Sequence, residues 1–176
     1  MRTCILDVET TDLKADFGRI ICAVIKEYGT RREATLYKPS DYRDDSGLLL
    51  RLKNRLEQFD ICVTHYGKGF DIPFLNTKLL LNNQSRLKKM FHVDTYYIAR
   101  NKLQTLSRKS LKRLGDTLQL DDQKMDVSIH FWNKARDGDK ESIDFIGDRC
   151  LSDVRMTEQV YNRFLQAGLI DTMRKY

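Results

Sequence analysis

The sequence predicts an α/β fold: a mixed central sheet with its first three strands antiparallel and helices on both faces. Three features of the 176 residues carry that reading. Short, apolar, β-branched runs recur early and are bounded by turn residues. Gly29-Thr30 stands between the second and third runs and suits a tight hairpin turn. From residue 48 onward, apolar residues recur at three-to-four spacing between the remaining runs, which is helical periodicity.

In chain order, residues 4–8 form a buried first strand and residues 10–18 a polar loop. A second strand is expected over 19–28 and a third, of edge-like polarity, over 33–37, ended by Pro39-Ser40-Asp41. Leu48, Leu49, Leu52, Leu56 and Phe59 mark an amphipathic helix, and residues 60–64 a short buried strand. The segment 65–75 holds two glycines that permit close backbone approach, and Pro73 suits the first turn of a helix running to about 81. Asp71 then stands near that helix's N-cap. Residues 90–93 read as a last strand, followed by a helical turn or two over 96–101. Further helices are expected over 107–114, ending at Gly115, and over 125–134 with Trp132. A long helix over 140–166 carries Ile143, Ile146, Cys150, Val154, Thr157, Tyr161 and Phe164 on one stripe, with Gly147 a point of division, and residues 171–176 form a tail. No repeat, linker or low-complexity tract appears, so one domain spanning 1–176 is expected.

Charged residues make up 32% and apolar ones 41%, a balance that excludes a disordered chain. No apolar run approaches membrane-spanning length and no signal pattern opens the sequence. The expected location is therefore cytoplasmic or nucleoid-associated, neither membrane-bound nor secreted. Cys4, Cys22, Cys62 and Cys150 are widely spaced in apolar settings and read as reduced core thiols. Charge is segregated. Residues 84–113 hold nine Lys/Arg against the single acid Asp94, whereas residues 137–153 hold six acids against two bases. Such a division suits a polyanion held near an acidic metal site.

Asp7 and Glu9 lie at i and i+2 on the first strand and so share one face. Like charges that close call for a compensating cation. With Asp71 and Asp153 they form a candidate four-carboxylate constellation. Hard oxygen donors of this kind favour Mg²⁺ or Mn²⁺.

Asp7-Val8-Glu9-Thr10, the run Thr64-His65-Tyr66-Gly67-Lys68-Gly69-Phe70-Asp71-Ile72-Pro73-Phe74-Leu75, and Arg149-Cys150-Leu151-Ser152-Asp153-Val154 together resemble the DEDD superfamily of 3′-to-5′ exonucleases. The Gly138-Asp139 turn resembles the branch near the proofreading domains of family B DNA polymerases and their free-standing relatives. The resemblance covers residues 4 to about 165. It implies a ribonuclease-H-like fold and hydrolysis of phosphodiesters from a single-stranded 3′ end, DNA slightly ahead of RNA, with two Mg²⁺ or Mn²⁺ ions. A replication or repair protein is an expected partner class. Two such ions, about 4 Å apart, ready the attacking water and stabilise the leaving 3′ oxygen. The resemblance further implies that Asp7 touches both ions, Glu9 and Asp153 add ligands, and Asp71 serves the second ion. A catalytically weak nucleic-acid-binding module, or a structural subunit of a nucleic-acid-processing complex, is the alternative.

Two departures stand out. The family places a Tyr four residues, or a His five residues, before its last metal Asp to orient or deprotonate the water. Here those places hold Arg149 and Asp148. Arg149 lies one turn before Asp153 and is placed to hold the scissile phosphate, but a guanidinium is no base. Asp148 lies about 140° round an ideal helix from Asp153 and reaches the site only if Gly147 breaks the helix. His65 and His92 are the rival bases. The second departure is Tyr66, where the family usually has Asn; a tyrosine there offers a ring that can stack on a base. Leu13 sits where a side chain wedges against the terminal base, and Thr10 where the 3′ hydroxyl is met. Phe70 either flanks the last nucleotide or anchors the core. His65, Tyr66, Lys88, Lys89, Arg108, Lys109, Lys112, Arg113 and Arg149 complete the expected nucleic-acid contacts, whereas Asp94 reads as a cap or support. Trp132 and Tyr96-Tyr97 read as packing residues ahead of nucleotide platforms, the two tyrosines being open to both roles.

Overall fold

The computed structural model describes residues 1–30, 32, 34–122 and 125–170. Glu33, where the third strand was expected to start, and the 171–176 tail lie outside the described residues.

Five strands form one sheet: β1 (Thr3–Thr10), β2 (Ile20–Glu27), β3 (Thr35–Tyr37), β4 (Ile61–Thr64) and β5 (Phe91–Asp94). Their order is β3-β2-β1-β4-β5. β1–β2 and β2–β3 pair antiparallel, as expected of the first three strands, and β4 and β5 add in parallel. The β1–β2 register shifts between Glu9 and Thr10, with Ile21 of β2 the extra residue.

Alternation splits the sheet into two faces, interrupted in β2 at Ile21, where the register shifts. Cys4, Leu6 and Val8 pack with α1 (Ser46–Leu56) and α2 (Asp71–Leu81). Ile5, Ile21 and Val24 pack on the other side against α5 (Ile129–Arg136) and α6 (Lys140–Gln166). Two short helices, α3 (Thr95–Lys102) and α4 (Leu111–Leu118), join the far half of α6 around Met156, Val160 and Phe164. Helices thus cover both faces. The four cysteines are buried and free. No described helix is long and apolar enough to cross a membrane.

Glycines account for two departures from expectation. α6 runs unbroken through Gly147. A Cβ there would approach the Leu36 side chain at 3.0 Å, so this glycine lets the helix lie close on β3 and is no hinge. Gly115 does not end α4, which continues to Leu118. Its missing side chain makes room for Met156 of α6, whose methyl a Cβ would meet at 2.5 Å. That same helix starts at Leu111, later than expected, because the Ser110 hydroxyl caps it by accepting the Arg113 N–H at 3.4 Å.

Candidate metal centre and nucleic-acid interface

The period of two in β1 puts Asp7 and Glu9 on the face of Ile5, the face that α6 crosses. α6 brings Asp153 to them. One carboxylate oxygen from each of Asp7, Glu9 and Asp153 falls within 4.8 Å of the others. Asp153 is 2% exposed, so its charge has little water around it. Three carboxylates at this separation repel one another unless cations intervene. Arg149 supplies one. Its Nη1 meets Glu9 Oε1, and its Nη2 lies 3.4 Å from Asp153 Oδ2, one helical turn away. The Trp132 ring of α5 backs the guanidinium at 5.7 Å. Cys150 donates its thiol to Asp7 Oδ2 at 3.2 Å. Burial, the contact with Cys22 and the Asp7 charge all push that thiol's pKa well up, so it remains a protonated donor. An all-oxygen donor set of three acids, one of them almost fully buried, fits one or more divalent cations.

Asp71 stands apart from that group. It opens α2, is buried, and its Oδ1 accepts the Val8 N–H at 3.0 Å. Burial first, and the Asp7 charge second, raise its pKa well above the ordinary carboxylate value. It is an electrostatic neighbour of Asp7 and lies outside the three-carboxylate cluster.

Asp148 is exposed on continuous α6. The helix break on which its access depended does not occur, and Asp148 is not assigned as a base. His92 binds the Thr64 hydroxyl through Nε2 at 2.8 Å. Burial lowers its pKa, against the raising charge of Asp94. It lines a separate cavity of about 200 Å³ with Arg86, Lys88, Lys89 and Met90. That cavity lies at the start of β5, whereas the acids stand beyond the paired ends of β1 and β4. Lys88 and Lys89 are therefore not beside the acids.

Two other cavities flank the carboxylates. One, of about 340 Å³, runs from Glu9 and Thr10 past Leu13 and Phe70 to Ile129 and Trp132. Leu13 is 77% exposed at its mouth. Phe70 packs on the core beside Phe74 at 5.5 Å, as one of its two expected roles required, and also lines this cavity. Thr10 donates its hydroxyl to Asp12 O at 2.7 Å, and Arg136 holds the same loop by donating to Thr11 O at 3.0 Å. The other cavity, of about 370 Å³, joins Asp7 and Asp153 to His65, Tyr66, Tyr96, Ser110 and Leu111. His65 Nδ1 lies 2.9 Å from the Thr95 hydroxyl.

Ser110 and Leu111 bring the basic segment to this rim. Arg108, Lys112 and Arg113 are exposed there. Lys112 pairs with Asp126 at 2.6 Å, and Lys109 donates to Leu106 O at 2.5 Å.

Asp94 caps α3 through Tyr96 N and Tyr97 N, in keeping with its reading as a cap or support. Three contacts escaped sequence reasoning: Trp132 backs Arg149, Cys150 donates to Asp7, and Asp94 also accepts from Tyr66 N and Lys68 N. Each joins residues remote in sequence, and no local periodicity signals them.

The fold matches that of the family B DNA polymerase from the hyperthermophilic archaeon Pyrobaculum calidifontis, with a TM-score of 0.77 at 15% identity. The match covers 96% of this chain and 25% of the polymerase, so the chain spans about a quarter of that protein's length. Among curated proteins none matches significantly. The sequence profile of the RNase_H superfamily matches residues 4–165. With the acidic cluster on the first strand and last helix of that fold, the chain belongs to the RNase H superfamily.

Proposed function

We propose that the chain is a divalent-metal-dependent 3′-to-5′ exonuclease acting on single-stranded nucleic acid, with DNA the favoured substrate. The observation that carries this is the convergence of Asp7, Glu9 and Asp153 within 4.8 Å. Those residues, with Asp71 beside Asp7, would hold two Mg²⁺ or Mn²⁺ ions. The ions would activate water and neutralise charge on the leaving oxygen. Water oxygen bonds to phosphorus as the P–O3′ bond breaks, and solvent returns the water's proton to the leaving oxygen, releasing a nucleoside 5′-monophosphate. Arg149, paired with Glu9 and backed by Trp132, would turn from Glu9 to a non-bridging phosphate oxygen. Leu13 and Phe70 shape an apolar cavity for the terminal base. Arg108 and Arg113 draw the strand toward the other side. Domain extent over 1–176 and a replication or repair protein partner are part of the same proposal.

One observation favours a second reading. Arg149 stands where related enzymes have a water-orienting Tyr, and it ties up Glu9 and Asp153. That suits a nucleic-acid-binding module with weak or absent cleavage. Incubation of 3′-labelled single-stranded DNA and RNA with Mg²⁺ or Mn²⁺ decides between them. Stepwise release of mononucleotides, lost in D7A with strand binding retained, supports the exonuclease. Binding without product under either ion moves the assignment to the module.

A further inference from the structure

We infer that Tyr66, Tyr96 and Tyr97 form a nucleobase-stacking shelf beside the acidic cluster, held in place by Asp94. The inference rests on the reading of this site as one for single-stranded nucleic acid, and names a base-binding subsite within it. Four backbone amides converge on the one buried carboxylate. Asp94 Oδ1 accepts from Tyr66 N at 3.0 Å, Tyr96 N at 3.0 Å and Tyr97 N at 3.3 Å, and Oδ2 accepts from Lys68 N at 2.8 Å. The carboxylate therefore caps α3 and also clamps the turn between β4 and α2 to it. Tyr66 pays for its place in that turn with φ +72°, a conformation that bulky residues avoid. Its ring lies across Gly69, where a Cβ would come within 2.6 Å of it. Gly69 thus makes room for the Tyr66 ring.

The rings are ordered among themselves. Tyr66 is stacked with Tyr97 at 6.0 Å and 15°, and meets Tyr96 edge-on at 5.0 Å. Tyr96 is edge-on to Tyr97 at 5.4 Å. A core residue held so firmly would be covered, yet Tyr66 is 46% exposed. It opens on the cavity that also holds Asp7 and Asp153. A fixed, half-exposed aromatic surface beside an acidic centre and a basic rim suits planar bases of a single strand. Stacking of this kind is tolerant of sequence, because every base presents a π-face.

The test uses the full chain in EDTA, which separates binding from hydrolysis. Fluorescence anisotropy compares a short oligothymidylate with an abasic oligomer of equal length and charge. Repulsion from the metal-free acids weakens both and cancels in the ratio of affinities. Wild type is expected to prefer the base-bearing strand by about fivefold or more. Tyr66→Asn, which keeps a residue tolerant of positive φ, and Tyr97→Leu should each bring the ratio toward one, with circular dichroism confirming the fold. Photo-crosslinking of a 4-thiothymidine oligomer to wild type should label Tyr66, Tyr96 or Tyr97. A wild-type ratio near one, an unchanged ratio in both folded variants, or crosslinks confined elsewhere overturns the shelf. Should either variant fail to fold, the wild-type ratio and crosslinks decide. Failure of the nuclease reading is distinct: it is absence of product from wild type with Mn²⁺, whatever the ratio.

Discussion

At Glu9 and Asp153 the Arg149 guanidinium and a divalent ion seek the same oxygens. Arg149→Gln keeps much of the side chain's length but removes its charge. The variant is expected to bind Mn²⁺ about tenfold more tightly, by calorimetry, because the cation no longer displaces an internal counter-ion. An unchanged affinity would show that guanidinium and metal do not compete. Asp7→Ala removes an acid that belongs to the cluster and also interacts with Asp71, and should lower turnover by about a thousandfold or more. Its Tm should hold or rise, since a like charge leaves a crowded cluster. Residue-scale legibility was uneven. Asp7 and Glu9 declared themselves through i, i+2 alternation, and Asp153 through its motif. Arg149's ties were half visible: its i, i+4 relation to Asp153 follows from helix geometry, whereas its reach to Glu9, 140 residues away, does not.

Among the elements, α2 shows how a buried ion pair locks the site's surroundings. Lys78 Nζ meets Asp45 Oδ1 at 3.0 Å and donates to Gly18 O at 3.1 Å, and Asp45 Oδ2 accepts the Ile20 N–H at 2.7 Å. The network joins α2, the start of α1 and the entry to β2. Lys78→Ala strands the buried Asp45 carboxylate and is expected to cost about 3 kcal/mol, read by urea denaturation. A loss within error of zero would mean that water repairs the gap. Gly147 offers a second check. Gly147→Leu should push α6 off Leu36 and destabilise the chain by about 1–3 kcal/mol, whereas a true hinge glycine would tolerate the change without moving β3. The helix itself was legible from its apolar stripe. Its continuity was not, because a glycine that permits close packing reads in sequence like one that interrupts.

For the whole molecule, pH and salt report on burial and charge. His92 has its pKa lowered, chiefly by burial. The unfolded chain therefore takes up this proton first as pH falls. The His92 contribution to stability is full above the ordinary histidine value of about 6.5 and is lost as pH drops below it toward the folded value. Thermal melts of wild type should fall across that window, and His92→Asn should flatten this part of the slope. Strand affinity should decline steeply with salt, since residues 84–113 hold nine of the basic residues. Only part of that basic run faces the acids: Ser110 and Leu111 line their cavity, while Lys88 and Lys89 line another.

By itself, the sequence determined the layering of the fold, the shared face of Asp7 and Glu9, and the placement of Asp71 at a helix start. Those follow from periods of two and 3.6 and from turn chemistry, which are local properties of the chain. Tertiary structure alone decided that Asp71 stands outside the cluster of Asp7, Glu9 and Asp153 and on Val8, that α6 passes Gly147 without breaking, and that Asp94 binds a turn to a helix. Each depends on how closely two remote elements pack. That distance is set by side-chain volume and desolvation across the interface, and no single segment encodes it.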